Sequence, residues 1–285
     1  MYLDNDYVIQ GTRVFGVKGN WPEDAQSILV KPVYETDALG QRTKIVDRPG
    51  EHGERFCWLD PSGLVHIRSR GLDDELLSAG SVWGAMARAF LSVGIERTEI
   101  GYFGSHRLGY ENTKDVDFVL YGRKSHDTLF RQMNEFKRAT GTYNLTEEHA
   151  VYQVETHGSR YTGASASLVR CLLNKWSSCM IRKGVCSTVR FVDPDVPSGL
   201  LLKRVFEASR EDAVTMRGIV SDASGTSRFP RTFTLHVGHG DTYQVIVPLW
   251  IYHQCVRDGD LVEVLGIRSE KTLIVRDYDH GLRYI

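Results

Sequence analysis

The chain has 285 residues, of which 41% are hydrophobic and 25% charged, with a net charge of −1. That composition supports a sizeable core and excludes both a disordered chain and a uniformly basic nucleic-acid coat. No apolar run approaches the ~18–20 residues of a membrane span, and the opening MYLDNDYVIQ has no basic stretch leading into an apolar one, so a cytoplasmic chain is expected. The five cysteines form no CxxC pair and read as free thiols.

Residues 1–72 read as β-rich. Segments 7–18 and 27–36 carry Val, Ile, Tyr and Phe in partial alternation, and 42–47, 55–60 and 64–68 read as shorter strands between Gly- and Pro-containing turns. The character changes at residue 72. Acids at Asp73 and Asp74 open a helical stretch over 74–94, with Val82, Ala85, Met86, Ala89, Phe90 and Val93 as its core stripe. Strands follow at 98–103, 115–121 and 185–192, and helices at 124–139 and 164–176. Strands alternating with helices make this an α/β or α+β unit. A linker helix is expected around 198–210. From residue 213, five segments of alternating apolar and polar residues in about 70 residues predict a small barrel of OB or SH3 type.

Charge is unevenly spread. Residues 158–210 carry nine Lys/Arg against three acids, for +6, whereas residues 1–157 sum to −5. A positive segment in a neutral protein predicts a local phosphate-binding surface. Within it, Arg160, Arg170 and Lys175 are placed to hold a triphosphate or an RNA backbone. Trp176 reads either as a base-stacking ring or as core at a helix end. Phe229, Phe233, Tyr243, Trp250 and Tyr252 offer the barrel stacking surfaces for single strands, although its charge balance is neutral.

The richest stretch runs from Gly101 to Gly122. A short apolar strand ends in Gly104-Ser105, and Asp115-Val116-Asp117 opens a second. Alternate residues of a strand face one side about 6.6–6.8 Å apart, so Asp115 and Asp117 direct two carboxylates at one point. Such a pair repels itself, and a hard divalent cation, Mg²⁺ or Mn²⁺, removes that cost. A glycine turn with a serine hydroxyl exposes donors suited to phosphate oxygens, Gly109 permits close backbone approach, and Arg107 and Lys114 add positive charge. The chemistry expected of such a set is in-line attack of a hydroxyl on an α-phosphorus with pyrophosphate leaving.

The composite of apolar-Gly104-Ser105, nine intervening residues and Asp115-apolar-Asp117-apolar resembles the active-site motif of the DNA polymerase β-like nucleotidyltransferase superfamily. The resemblance extends loosely further: residues 7–36, Val119–Gly122 and the β-rich tail of this chain are similar to archaeal and bacterial nucleotidyltransferase-domain proteins. It implies an α+β fold: a nucleotidyltransferase core at 73–195, between a β-rich N-terminal domain at 1–72 and a linker helix with β-barrel at 196–285. It also implies metal-dependent transfer of a nucleoside monophosphate from an NTP to a hydroxyl acceptor, with RNA or a tRNA end favoured. Asp115 and Asp117 hold the metal, and Gly104, Ser105, Arg107 and Lys114 hold phosphates. The superfamily uses a third carboxylate on a later strand, yet 185–192 contains no acid, and Asp193 at its end is the first choice. The alternative is a catalytically degenerate nucleotide- or RNA-binding module acting with a partner.

Overall fold

The computed structural model describes residues 1–38, 41–45, 56–78, 80–109, 116–157, 165–176, 180–182, 185–207, 213–238, 240–276 and 281–285. The fold is mixed α+β, built from two open sheets, helices and a C-terminal barrel.

The first sheet comprises β1 (Tyr7–Gln10), β2 (Arg13–Val17), β3 (Ile28–Thr36), β4 (Arg42–Lys44), β5 (Cys57–Leu59) and β6 (Val65–Ile67). The stretch 7–18 is a hairpin rather than one strand, turning at Gly11 with φ +58°. The sheet runs β4-β3-β2-β1-β6, with β5 also on β3. Alternation divides its side chains. Tyr7, Val14 and Tyr34 enter one core, and Val8, Phe15, Val17, Ile28 and Val30 enter another.

The expected helix over 74–94 is two helices, α1 (Asp74–Ser78) and α2 (Val82–Ser92). Ser81 caps the second, its hydroxyl accepting from the Gly84 N–H at 3.2 Å. Then come β7 (Ile100–Tyr102), β8 (Val116–Tyr121), α3 (Arg123–Thr140), β9 (Tyr143–Asn144), α4 (Glu147–His157), α5 (Ser165–Leu173), β10 (Met180–Arg182) and β11 (Val185–Val192). The second sheet runs β7-β8-β11-β10-β9, with β8 and β11 parallel. Its Phe118, Leu120, Val189 and Phe191 pack on α2 and α3 around Met86, Phe90, Leu129 and Phe136. Its other face, with Phe103, Val119, Tyr121 and Val192, packs on the first sheet.

Helix α6 (Ser198–Glu207) lies against that first sheet through Leu202. The junction turns on Asn20. Its side-chain amide donates to the carbonyls of Asp193 (2.7 Å) and Val196 (3.0 Å), and its backbone N–H donates to Ser198 Oγ at 2.9 Å. Trp21 packs on Gly199 so closely that a Cβ there would lie 2.5 Å from the indole ring.

The barrel comprises β12 (Ala213–Asp222), β13 (Arg231–Val237), β14 (Asp241–Val247), β15 (Leu261–Ser269), β16 (Thr272–Ile274) and β17 (Gly281–Tyr284). Pairing of β12 with β15 closes the five-stranded ring β12-β13-β14-β16-β15, and β17 adds to the free edge of β15. The core of the barrel continues into α4 and α5 through Ala150, Val154, Leu168, Cys171 and Leu172. Those helices are therefore tied to the barrel by burial, although the nearer, α5, ends about forty residues before the barrel begins. Among the described cysteines, Cys57, Cys171 and Cys255 are free thiols. No described helix is long and apolar enough to cross a membrane.

Candidate functional site

The antiparallel pairing of β7 with β8 brings the Gly104–Ser105 turn against the start of β8. Phe103 N–H donates to the Asp117 carbonyl at 3.2 Å. Gly104 then turns with φ +83°, and a Cβ built there would lie 2.7 Å from Asp117 Oδ2. Glycine is required twice over: for the left-handed backbone and for the space the carboxylate fills. Of the residues that sequence spacing assigned to the site, Gly104, Ser105 and Asp117 are thus brought together. Lys114, Asp115 and Arg160 lie outside the described residues.

The Gly104 N–H is already committed. It donates to Tyr7 Oη at 2.7 Å, so the phenol of β1 occupies one of the donors assigned to phosphate. Tyr7 is buried, and burial together with the nearby Asp117 charge pushes its hydroxyl well above the usual phenol range. It stays protonated and keeps its own O–H to donate. Ser105 makes no capping hydrogen bond to the turn that follows it.

Four assigned residues are placed elsewhere. Arg107 donates to the Arg68 carbonyl at 2.9 and 2.5 Å and to Tyr102 Oη at 2.8 Å, and its guanidinium lies 4.7 Å above the Tyr102 ring. Its donors serve the fold. Arg170 on α5 pairs with Asp260 at 3.0 Å and lies 3.8 Å over the Tyr284 ring, both in the barrel. Lys175 is only 1% exposed, with its charge felt at Cys255 and His253 of the barrel. These two cations were assigned to phosphate because they follow the strands in sequence, but α5 packs on the barrel. Asp193 is a correction of the same kind. In the parallel ladder Thr188, not Asp193, stands opposite Asp117. Asp193 lies five residues further on, about 17 Å along the strand, and it pairs with Arg123 (3.3 Å) and Arg228 (3.8 Å).

His106, beside Ser105, turns to the helix side and stacks on Trp83 at 4.7 Å and 3°; burial lowers its pKa. The barrel aromatics Phe233, Tyr243 and Tyr252 are core residues, each no more than 4% exposed. They hold the barrel together rather than presenting rings to a strand.

The residues beside Asp117 on its own face of β11 are Thr188 and Arg190. Arg190 donates to Asn5 Oδ1 at 2.5 Å and lies 4.5 Å over the Phe103 ring. Its Nε is buried with no hydrogen-bond partner among the described residues. From there a cavity of about 480 Å³ opens between the two sheets. Its wall includes Gly104, Tyr7, Lys18, Lys31, Lys44 and Arg190, and among the described residues it includes no carboxylate. Burial, helped by the charges of Arg190 and Lys31 and opposed by Asp4, holds the Lys18 ammonium down to about 8. The nearby acids Asp4 and Asp6 are buried and satisfied: Asp4 accepts from Gly19 N–H (3.1 Å) and Asn5 (2.9 Å), and Asp6 from Leu3 and Ser69 N–H (3.0 and 2.8 Å).

Sequence reading missed the three lysines and counted Arg190 only as one of the nine basic residues of 158–210. Lys18, Lys31 and Lys44 belong to the first sheet, where they look like ordinary strand residues, and Arg190 is one polar position in an apolar strand. Only the packing of sheet on sheet reveals that they share a cavity. Among the described residues no cluster of three potential metal ligands occurs. Comparisons of the chain with protein-family models, with characterised proteins and with solved structures return no match.

Proposed function

We propose that this chain binds a nucleoside triphosphate between its two sheets, as a module of the polymerase β-like nucleotidyltransferase kind. The observation that carries the reading is the cavity: four cations gathered in its wall, with no carboxylate among its described lining residues, opening beside the Gly104 turn that packs on Asp117. Clustered cations repel one another and cost free energy when buried. A polyanion of triphosphate size relieves that cost, and Tyr7 adds a neutral hydroxyl donor. Asp117 and the Ser105 and Thr188 hydroxyls are hard oxygen donors of the type Mg²⁺ or Mn²⁺ prefers, and Asp115 belongs to the same sequence motif. A bound Mg²⁺ would neutralise phosphate charge and position the α-phosphorus.

Whether such a module also transfers a nucleoside monophosphate depends on a further carboxylate to activate the attacking hydroxyl. Thr188 and Arg190 occupy the face of β11 where that acid is needed, and Asp193 is about 17 Å away. This favours binding without efficient transfer. The Asp115–Asp117 pair is the observation in favour of the second reading, transfer to an RNA hydroxyl.

One experiment decides between them. Each labelled NTP is incubated with the protein, Mg²⁺ or Mn²⁺ and total RNA, alongside Asp117→Ala. Saturable binding lost in the variant, with no label on RNA, supports the binding module. Label on RNA from the wild type alone establishes transfer. Binding of no NTP at any metal concentration refutes both.

A further inference from the structure

A second cavity, also about 480 Å³, lies at the opposite end of the strands from Asp117. Helix α3 begins at Arg123, directly after β8, so this cleft opens beyond the Tyr121 end of the ladder, about 20 Å along the strand from Asp117. One wall is the first half of α3. Another is Trp176, just after α5. The third is barrel: the turn Ser224–Ser227 and the loop Gln254–Asp258.

Its aromatic residues are arranged unlike those of the core. The buried stripe of α3 is Ser125, Leu129, Met133, Phe136 and Thr140. Phe130 lies off that stripe and is 60% exposed. Its ring meets the half-buried Trp176 at 4.8 Å and 74°, forming a corner of two nearly perpendicular rings. Behind Trp176, Phe191 and His126 fix it in place at 6.2 and 5.8 Å. His126 is itself pinned by Ser227 Oγ at 3.0 Å, so the corner is bound to the barrel turn.

Three guanidinium groups, Arg123, Arg228 and Arg257, line the same cleft. Arg123 and Arg228 share the single carboxylate of Asp193, and the Arg123 side chain remains 71% exposed. Two acids also line it: Asp258, which accepts from the Ala223 N–H at 2.7 Å, and Asp127, which is 3.0 Å from His126 Nδ1.

We propose that this cleft binds a nucleotide unit of single-stranded RNA, with the base in the Phe130–Trp176 corner and the flanking phosphates on Arg123, Arg228 and Arg257. A planar ring gains from stacking and edge contact in such a corner, and guanidinium forks match phosphate oxygens. Mixed aromatic and arginine lining is the pattern single strands use, whereas a peptide helix would need a longer apolar groove. The site is independent of the triphosphate cavity and does not rest on it.

The test is fluorescence anisotropy with a labelled 12-nucleotide RNA across a salt series. Wild-type protein is expected to bind. Phe130→Ala weakens binding roughly 5- to 160-fold, the range for loss of one stacked base, while Phe130→Tyr restores it. Because Phe130 is largely exposed, both variants keep the wild-type melting temperature. Arg257→Met lowers the salt slope by about 0.7, the value for one lost phosphate contact on a single strand. Asp117→Ala leaves RNA affinity unchanged, so failure of the nucleotide reading does not mimic failure of this one. The proposal is overturned if the RNA does not bind at low salt, if Phe130→Ala binds as the wild type does, or if only free AMP competes for the corner.

Discussion

Replacing Gly104 by Ala probes the link between the turn and Asp117. The backbone there has φ +83°, and a left-handed residue with a Cβ costs about 1–2 kcal/mol. The added methyl would also meet Asp117 Oδ2 at 2.7 Å, well inside ordinary contact, so the carboxylate has to swing. An off-rotamer side chain adds about 0.5–1.5 kcal/mol. Gly109 is the built-in control: φ is +77°, and a Cβ there meets no described residue within 4 Å. Gly109→Ala therefore carries only the backbone cost. At roughly 2–4 °C per kcal/mol, Gly104→Ala is expected to lower Tm by roughly 3–14 °C and Gly109→Ala by roughly 2–8 °C. The decisive quantity is the shift produced by Mg-NTP. A ligand at a hundred times its Kd stabilises by about 2.7 kcal/mol, and a tenfold loss of affinity removes about half of that. Differential scanning fluorimetry with and without Mg-NTP should show that loss in Gly104→Ala and not in Gly109→Ala. Equal ligand shifts in the two variants would refute a nucleotide site built on the Gly104–Asp117 contact.

Lys18 gives a pH signature. Its folded-state pKa of about 8 lies below the ordinary 10.5, so the protonated amine destabilises the empty fold. Below pH 8 that cost is fully present; between about 8 and 10.5 unfolding takes up a proton and the cost fades as pH rises. Lys18→Met is expected to stabilise the empty protein by roughly 1–3 kcal/mol at pH 7, with the advantage gone near pH 10.5, as urea melts at both pH values would reveal. Nucleotide affinity measured by calorimetry should fall as pH rises through 8 in the wild type and stay flat in this variant. Arg190→Met should weaken nucleotide binding at least tenfold, since a charge-assisted bond is worth about 1.5–3 kcal/mol; an unchanged Kd would remove Arg190 from the site. Arg170→Ala should leave nucleotide Kd within twofold while lowering Tm, because its partners Asp260 and Tyr284 belong to the barrel.

Local pattern carried much of this architecture. The α2 stripe, the turn at Gly104 before the strand of Asp117 and the alternation of the barrel strands are all set by residues within a few positions of one another. Pairings across long separations left no such trace. Strand β9 has two residues and β17 four, too short for periodicity to register, and β10 gains its place only by pairing with β9 and β11. The α5 stripe of Leu168, Cys171 and Leu172 says that one face is buried but not that the barrel buries it. Arg170 and Lys175 were misplaced for that reason. Asp193 was misplaced because strand register, which sets Thr188 against Asp117, cannot be read from composition.

The Asn20 junction has a consequence for the order of events during synthesis. The first sheet carries Lys18 into the cavity, but Asn20 finds its partners at Asp193, Val196 and Ser198, more than 170 residues later. At roughly 5–20 residues per second, a ribosome needs on the order of 10–35 s to make that intervening chain. For much of that interval the second sheet lacks β11 and its Arg190, so Tyr7 and the cavity lysines have only part of that sheet to close against. Contacts of such high sequence separation also slow folding. Ligand-binding competence should therefore emerge as a late step, after the helices have formed, and a nascent chain stopped short of residue 193 should have the turn without the pocket.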